Sequence, residues 1–269
     1  MNRLLMTFFL GCLPLGLYGA VKGEPVEYRE GDTLMKGYLA YDGAIQGKRP
    51  GILVVHEWWG HNDYARRRAE QLAGMGYTAL AVDMYGDGKQ ASHPKDAGRF
   101  AGEVKKNMDN AAARFEAAMD LLQSHETVAA DEISAIGYCF GGGIVLEMAR
   151  RGVNLDLVGS FHGSLPTSNP AVKGVVKAEV LVFNGADDPF VKSEHVEAFV
   201  SEMEQAGVNY SFTNYKGAKH SFTNPQADKF GKAFDLPLQY NREADEQSWD
   251  ALSKALKAIY GSGSVSKAP

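Results

Sequence analysis

The sequence predicts an α/β domain in which a mostly parallel sheet carries helices on both faces. Three observations point there. Residues 51–55, 78–82 and 155–161 are short, almost continuously apolar runs, as strands covered on both faces must be. Between them lie stretches with apolar residues at helical spacing. Strand-like and helix-like stretches alternate to the end of the chain, the order that builds parallel sheets.

The first segment reads as an address. Arg3 precedes an apolar run over residues 4–10 that continues, loosened by Pro14 and several glycines, to Leu17. This is the pattern of a secretory signal, too short and too broken to span a bilayer. Residues 1–23 are assigned to it, with a mature start between residues 21 and 24 and an exported, periplasmic or secreted product. Stable membrane insertion is not expected. Leu10-Gly11-Cys12 also resembles the end of a lipobox, so lipidation at Cys12 is the rival outcome.

Residues 24–260 form the expected domain. Residues 26–28 and 35–41 read as edge strands joined through Gly31-Asp32, and residues 51–55 as a buried central strand. Ala65, Ala69, Leu72 and Ala73 mark one face of a helix that stops at Gly74-Met75-Gly76. A strand over 78–82 follows. Residues 86–102, rich in Gly, Lys and Asp, read as a loop. Ala112, Phe115, Met119 and Leu122 then mark a helix, residues 132–136 a strand, and a helix is expected to begin near Gly142. Strands over 155–161, 179–184 and 210–215 alternate with a helix through Val196, Phe199, Val200 and Met203. Trp249, Leu252, Leu256 and Ile259 mark a closing helix, and residues 261–269 a small, polar, mobile tail.

Composition narrows the function classes. With 269 residues, 45% hydrophobic and 23% charged, the chain is not of a disordered, collagen-like or disulfide-scaffold type. A net charge of −5 does not favour the clustered Lys and Arg that phosphate backbones require, so no nucleic-acid partner is expected. There are two cysteines, and removal of the signal leaves Cys139 alone, without an internal disulfide.

The sharpest local feature is Gly137-Tyr138-Cys139-Phe140-Gly141-Gly142-Gly143, between an apolar strand and a helical stretch. This G-x-C-x-G run fits a nucleophile elbow, where the chain turns from strand to helix so tightly that the flanking residues must be glycine. A helix N-terminus there also favours a thiolate. A small buried Cys in a Gly-rich turn explains the pentapeptide equally well, whereas a dinucleotide site would need G-x-G-x-x-G spacing. Partners in the right order tip the balance. α/β-Hydrolases place nucleophile, acid and His in that order along the chain, each at the C-terminal end of a strand or just beyond it. Asp187-Asp188-Pro189 follows the strand ending at Gly185, and His220 lies after the strand over 210–215. His56-Glu57-Trp58-Trp59-Gly60 follows the central strand, where one oxyanion-hole N–H is usually supplied; Trp58 is the expected donor, with Phe140, next to the nucleophile, as the other. His56, Glu57 and His61 form no recognised ligand spacing, so no metal is expected, and the chemistry calls for no cofactor.

Taken together, the elbow, the His56–Gly60 loop, Asp83-Met84-Tyr85, Gly185-Ala186-Asp187-Asp188-Pro189-Phe190-Val191 and Gly217-Ala218-Lys219-His220-Ser221-Phe222 resemble the dienelactone hydrolase family over residues 26–259. The resemblance implies an α/β-hydrolase fold with Cys139 as nucleophile, His220 as base and acid, and Asp188 rather than Asp187 orienting the imidazole. It also implies that Glu57 contacts the resting thiol and helps activate it. Two arginines that hold the carboxylate of dienelactone in the founding enzymes are replaced by Asp87 and Asn224, so dienelactone itself is not the expected substrate. Trp58, Trp59, Tyr85, Phe140, His162 and Phe222 are expected to line an aromatic pocket for a neutral or apolar ester or lactone. The resulting expectation is an exported, monomeric esterase or lactonase working through a thioester. A non-catalytic ligand-binding protein on the same scaffold and a redox role for Cys139 are the alternatives, the latter lacking a resolving cysteine.

Overall fold

The computed structural model describes residues 21–261. The signal-like segment and the C-terminal tail, apart from the residues at their inner edges, lie outside the described residues. Eight strands, β1 (Val21–Glu30), β2 (Thr33–Asp42), β3 (Arg49–Val55), β4 (Thr78–Val82), β5 (Val128–Tyr138), β6 (Leu157–Phe161), β7 (Glu179–Gly185) and β8 (Tyr210–Tyr215), form one sheet in the order β1-β2-β4-β3-β5-β6-β7-β8. β1 and β2 pair antiparallel at the edge, β2 meets β4 antiparallel, and every pairing from β4 to β8 is parallel.

The buried stretches of the central strands are mainly apolar because helices cover both faces. Leu53 and Val55 of β3 face one core, with Leu80, Phe115 and Ile144, while Ile52 and Val54 face the other, with Tyr64, Phe161 and Leu252. The first core is closed by α3 (Met108–Ser124), α4 (Phe140–Arg150) and α5 (Ser193–Ala206), the second by α1 (Asp63–Gly74) and α7 (Arg242–Tyr260). All six parallel strands, β3 to β8, end on the same edge, so the loops that follow them converge there.

Two helices depart from the sequence reading. Residues 94–105, read as mostly loop, form α2 (Pro94–Lys105). His93 caps it by accepting from the Lys95 N–H at 3.1 Å, Pro94 occupies the first turn, and Ala97, Ala101 and Val104 are buried. Gly98 and Gly102 lowered the apparent propensity, but both stand in open space, so packing of the other face decides the conformation. α6 (Ala227–Phe234), likewise unread, packs Phe230 against Trp59. Elsewhere the elements are longer than their apolar signatures: β1 begins at Val21, β5 at Val128 and α7 at Arg242, one residue after its cap Asn241, and α4 begins at Phe140.

Candidate active site

The elbow forms as its glycines require. β5 ends at Tyr138, Cys139 takes φ 53° and ψ −111°, and α4 starts at the next residue. A Cβ on Gly137 would sit 2.1 Å from the Gly141 carbonyl oxygen, and one on Gly141 would sit 2.3 Å from that of Val55. Only glycine lets the start of α4 press against the ends of β5 and β3. The Gly141 N–H then donates to the His56 carbonyl at 3.1 Å, fixing the helix start against the loop after β3.

Cys139 Sγ lies 3.0 Å from His220 Nε2, and His220 Nδ1 lies 2.7 Å from Asp188 Oδ2. Three residues from three loops thus form one line at the C-terminal edge of the sheet. Asp188 is buried and also accepts from the Phe190 N–H at 2.8 Å, while Asp187 is exposed, which settles which carboxylate meets the imidazole. Burial works against a charge on His220, but the Cys139 and Asp188 charges outweigh it and push the imidazole up to about 10.

Beside the thiol, the loop after β3 is held from several sides. His56 accepts from the Met84 N–H through Nε2 at 3.3 Å and donates through Nδ1 to the Glu57 carbonyl at 2.6 Å, so backbone occupies both its nitrogens. The Gly60 N–H closes a turn onto the same Glu57 carbonyl. Tyr85 donates to the Trp58 carbonyl at 2.9 Å. Asp83 in turn fixes Tyr85, accepting from the N–H groups of Tyr85, Gly86 and Gly88. Neither the Trp58 nor the Phe140 N–H donates to another residue among the described residues.

Among the described residues no hydrogen bond joins Glu57 to the thiol. The Cys139 Sγ faces His220, while Glu57 Oε2 accepts from Asn224 Nδ2 at 2.6 Å and Oε1 is buried with no partner among the described residues. Burial raises its carboxyl, against the lowering effect of Ser221 and Asn224.

A cavity of about 330 Å³ opens over Cys139 and His220. Trp58 and Phe140 line it as expected, together with Phe190, Leu236 and Leu238, which were not expected. Ala101 and Lys105 of α2 complete another wall. The other four residues expected in the pocket lie behind it. Trp59 is buried against Phe230 and Phe234 of α6, Tyr85 supports the Trp58 loop, Phe222 packs on Tyr215 in the core, and His162 lies fully buried beneath Cys139. Sequence gave their nearness to the site but not which side of the wall they occupy. Of the missed residues, Phe190 and Val191 had a signal in the tail of the Asp188 motif; Ala101, Lys105, Leu236 and Leu238 had none without α2 and α6.

Among the described residues, no helix is long and apolar enough to cross a membrane. Residues 35–260 match the model of the dienelactone hydrolase family. Among solved structures, a dienelactone hydrolase-like promiscuous phosphotriesterase from metagenomic libraries superposes with a TM-score of 0.83 at 34% identity, covering 90% of this chain and 99% of that one. "Protein usf" of Aquifex pyrophilus is 28% identical over 211 residues, 77% of this chain and 89% of its own length. A Bradyrhizobium sp. protein named "Probable 2-oxo-3-(5-oxofuran-2-ylidene)propanoate lactonase" is 29% identical over 195 residues, 69% of this chain and 77% of its own. With the motifs and the fold in agreement, the chain belongs to the dienelactone hydrolase family and is a hydrolase.

Proposed function

We propose that this hydrolase cleaves neutral esters or lactones through a Cys139-His220-Asp188 triad and a thioester intermediate. The observation that carries the reading is the unbroken line from Asp188 Oδ2 through the imidazole to Cys139 Sγ, ending at a cavity walled mainly by apolar side chains. The Cys139 thiolate, paired with the His220 imidazolium, attacks the carbonyl carbon. The oxygen that becomes negative is received by the free Trp58 and Phe140 N–H groups. His220 gives its proton to the departing alkoxide, leaving a thioester. It then takes a proton from water, whose oxygen attacks the thioester and releases the acid, while Asp188 keeps the proton of Nδ1 in place. In this reading Glu57 acts through position: its bond to Asn224 fixes the loop that carries Trp58.

The absence of an arginine at Asp87 and Asn224 supports a neutral substrate. Asp87 is an exposed partner of Lys36, and Asn224 is occupied by Glu57. The lactonase name of the Bradyrhizobium relative supports including lactones, and the phosphotriesterase neighbour supports testing a phosphotriester as a second substrate. Export is proposed from Arg3 and the apolar run that follows, and the mass of the mature N-terminus tests it.

Hydrolysis of p-nitrophenyl acetate by the mature chain, by Cys139→Ala and by iodoacetamide-treated protein is the deciding measurement. Activity lost in the variant and on alkylation is expected. Hydrolysis that survives in Cys139→Ala would overturn the mechanism, and rates no higher than background in all three would favour a ligand-binding protein.

A further inference from the structure

Behind the elbow, His162 touches the frames of both Cys139 and His220 without reaching the cavity. It directly follows β6, is fully buried, and holds φ 41°. Its N–H donates to the Phe183 carbonyl at 2.8 Å, which ties its backbone to the end of β7. Its Nδ1 lies 3.1 Å from the Cys139 N–H, a group that can only donate. That amide also reaches the Phe161 carbonyl at 2.9 Å, so the residue with the strained φ of 53° is held by two acceptors at once. Because Nδ1 accepts, the ring proton sits on Nε2, and Nε2 lies 2.8 Å from Thr223 Oγ1, which therefore accepts it. Thr223 Oγ1 is 2.6 Å from Tyr64 Oη, and Arg68 closes the set by donating to Tyr64 Oη at 3.3 Å and to the Thr223 carbonyl at 2.8 Å. Asp245 of α7 pairs with Arg68. The same imidazole presents an edge-to-face contact to the His220 ring, with centroids 5.3 Å apart.

Resting on the thiol-hydrolase reading, we propose that His162, locked by Thr223 in its neutral Nε2–H tautomer, is a positioning residue that holds Cys139 and His220 in their reactive contact. A proton on Nδ1 would turn the acceptor for the Cys139 amide into a second donor and push the strained turn apart. A doubly protonated ring would in addition place a positive charge against His220. The surroundings oppose that charge: burial, His220 and Arg68 keep His162 neutral well below its ordinary range. The titratable and charged groups facing this ring and its neighbour are Cys139, His220, Asp188, Tyr64, Tyr138, Arg68 and Glu57.

The contact with Thr223 allows a test that spares the imidazole itself. Thr223→Val keeps the side-chain shape but removes the acceptor of Nε2–H, whereas Thr223→Ser keeps it. For p-nitrophenyl acetate, Thr223→Val is expected to lower kcat about tenfold with KM changed by less than about twofold. It is also expected to shift the pH dependence of Cys139 alkylation by iodoacetamide toward higher pH. Thr223→Ser is expected to restore both. His162→Phe, which keeps a ring beside His220 but removes Nδ1, should reproduce the Thr223→Val phenotype. The proposal is overturned if Thr223→Val retains the parent kcat and alkylation profile, if Val and Ser impair equally, or if Val lowers only the melting temperature. Failure of the underlying reading shows separately, as hydrolysis that survives in Cys139→Ala.

Discussion

Asn224 donates to Glu57 across 2.6 Å, joining the loop after His220 to the loop after β3 in a fully buried contact. An arginine at this position would give Glu57 a counter-ion; an amide gives it one hydrogen bond and leaves Oε1 without a hydrogen-bond partner among the described residues. Burial is then the dominant influence on the carboxyl and raises it.

That arrangement predicts a pH-dependent stability. Because the folded-state carboxyl is raised above its ordinary 4.5, the native protein keeps a proton that the unfolded chain releases, and stability falls as pH rises from that value through the folded one. Glu57→Gln removes the titration. Its melting temperature relative to the parent is expected to rise from acid to neutral pH, and a constant difference across the range would refute the assignment.

His61 titrates with the opposite sign. Among the described residues its buried ring has no partner for Nε2, and burial, with the neighbouring His56 and Arg66, lowers it from 6.5 to about 4. Its stabilising contribution is complete above 6.5 and is lost as pH falls toward about 4. Between about pH 7 and about pH 5 this residue alone should remove about 2 kcal/mol. Denaturant titrations of parent and His61→Leu at both pH values measure it: the loss should shrink by that amount in the variant.

Asp188→Asn should leave the fold intact, since Oδ1 can still accept from the Phe190 N–H, but should no longer hold the proton on His220 Nδ1. We expect kcat to fall about a thousandfold. Asp187→Asn, altering an exposed side chain, should change kcat by less than about twofold, and the reverse ranking would refute the pairing seen here.

Leu238 forms part of the cavity wall, on the segment after α6. Leu238→Phe should shorten the space available to an acyl chain. The expected result is a kcat/KM for p-nitrophenyl hexanoate reduced about tenfold relative to that for the acetate. An equal effect on both esters would place Leu238 outside the acyl path.

Gly141→Ala tests the elbow itself. With the Val55 carbonyl oxygen 2.3 Å from the new methyl carbon, β3 and α4 must separate, and a loss of about 4 kcal/mol or more is expected in the unfolding free energy measured by urea titration. Gly98→Ala on α2, where nothing lies within 4 Å, should be neutral or stabilising.

The elbow, the order nucleophile-acid-His and the five buried parallel strands were legible because each is a local signal: a Gly pattern, a chain order, a continuous apolar run. α2 was not, because Gly98 and Gly102 hide the periodicity of a face whose burial depends on distant residues. The likeness of Glu57 to a thiol-activating carboxylate named the residue but not its partner, which depends on Asn224, far along the chain.

By itself the sequence determined the fold class and the three residues that meet at the strand ends, since strand periodicity and glycine sterics act between near neighbours. Only the tertiary structure decided which aromatic side chains face the cavity and which stand behind it. That choice separates Phe190 in the wall from His162 beneath the nucleophile, and it depends on how the loops after β6 and β7 meet residues of α2 and of the segment after α6 around one cavity, a convergence that no local pattern specifies.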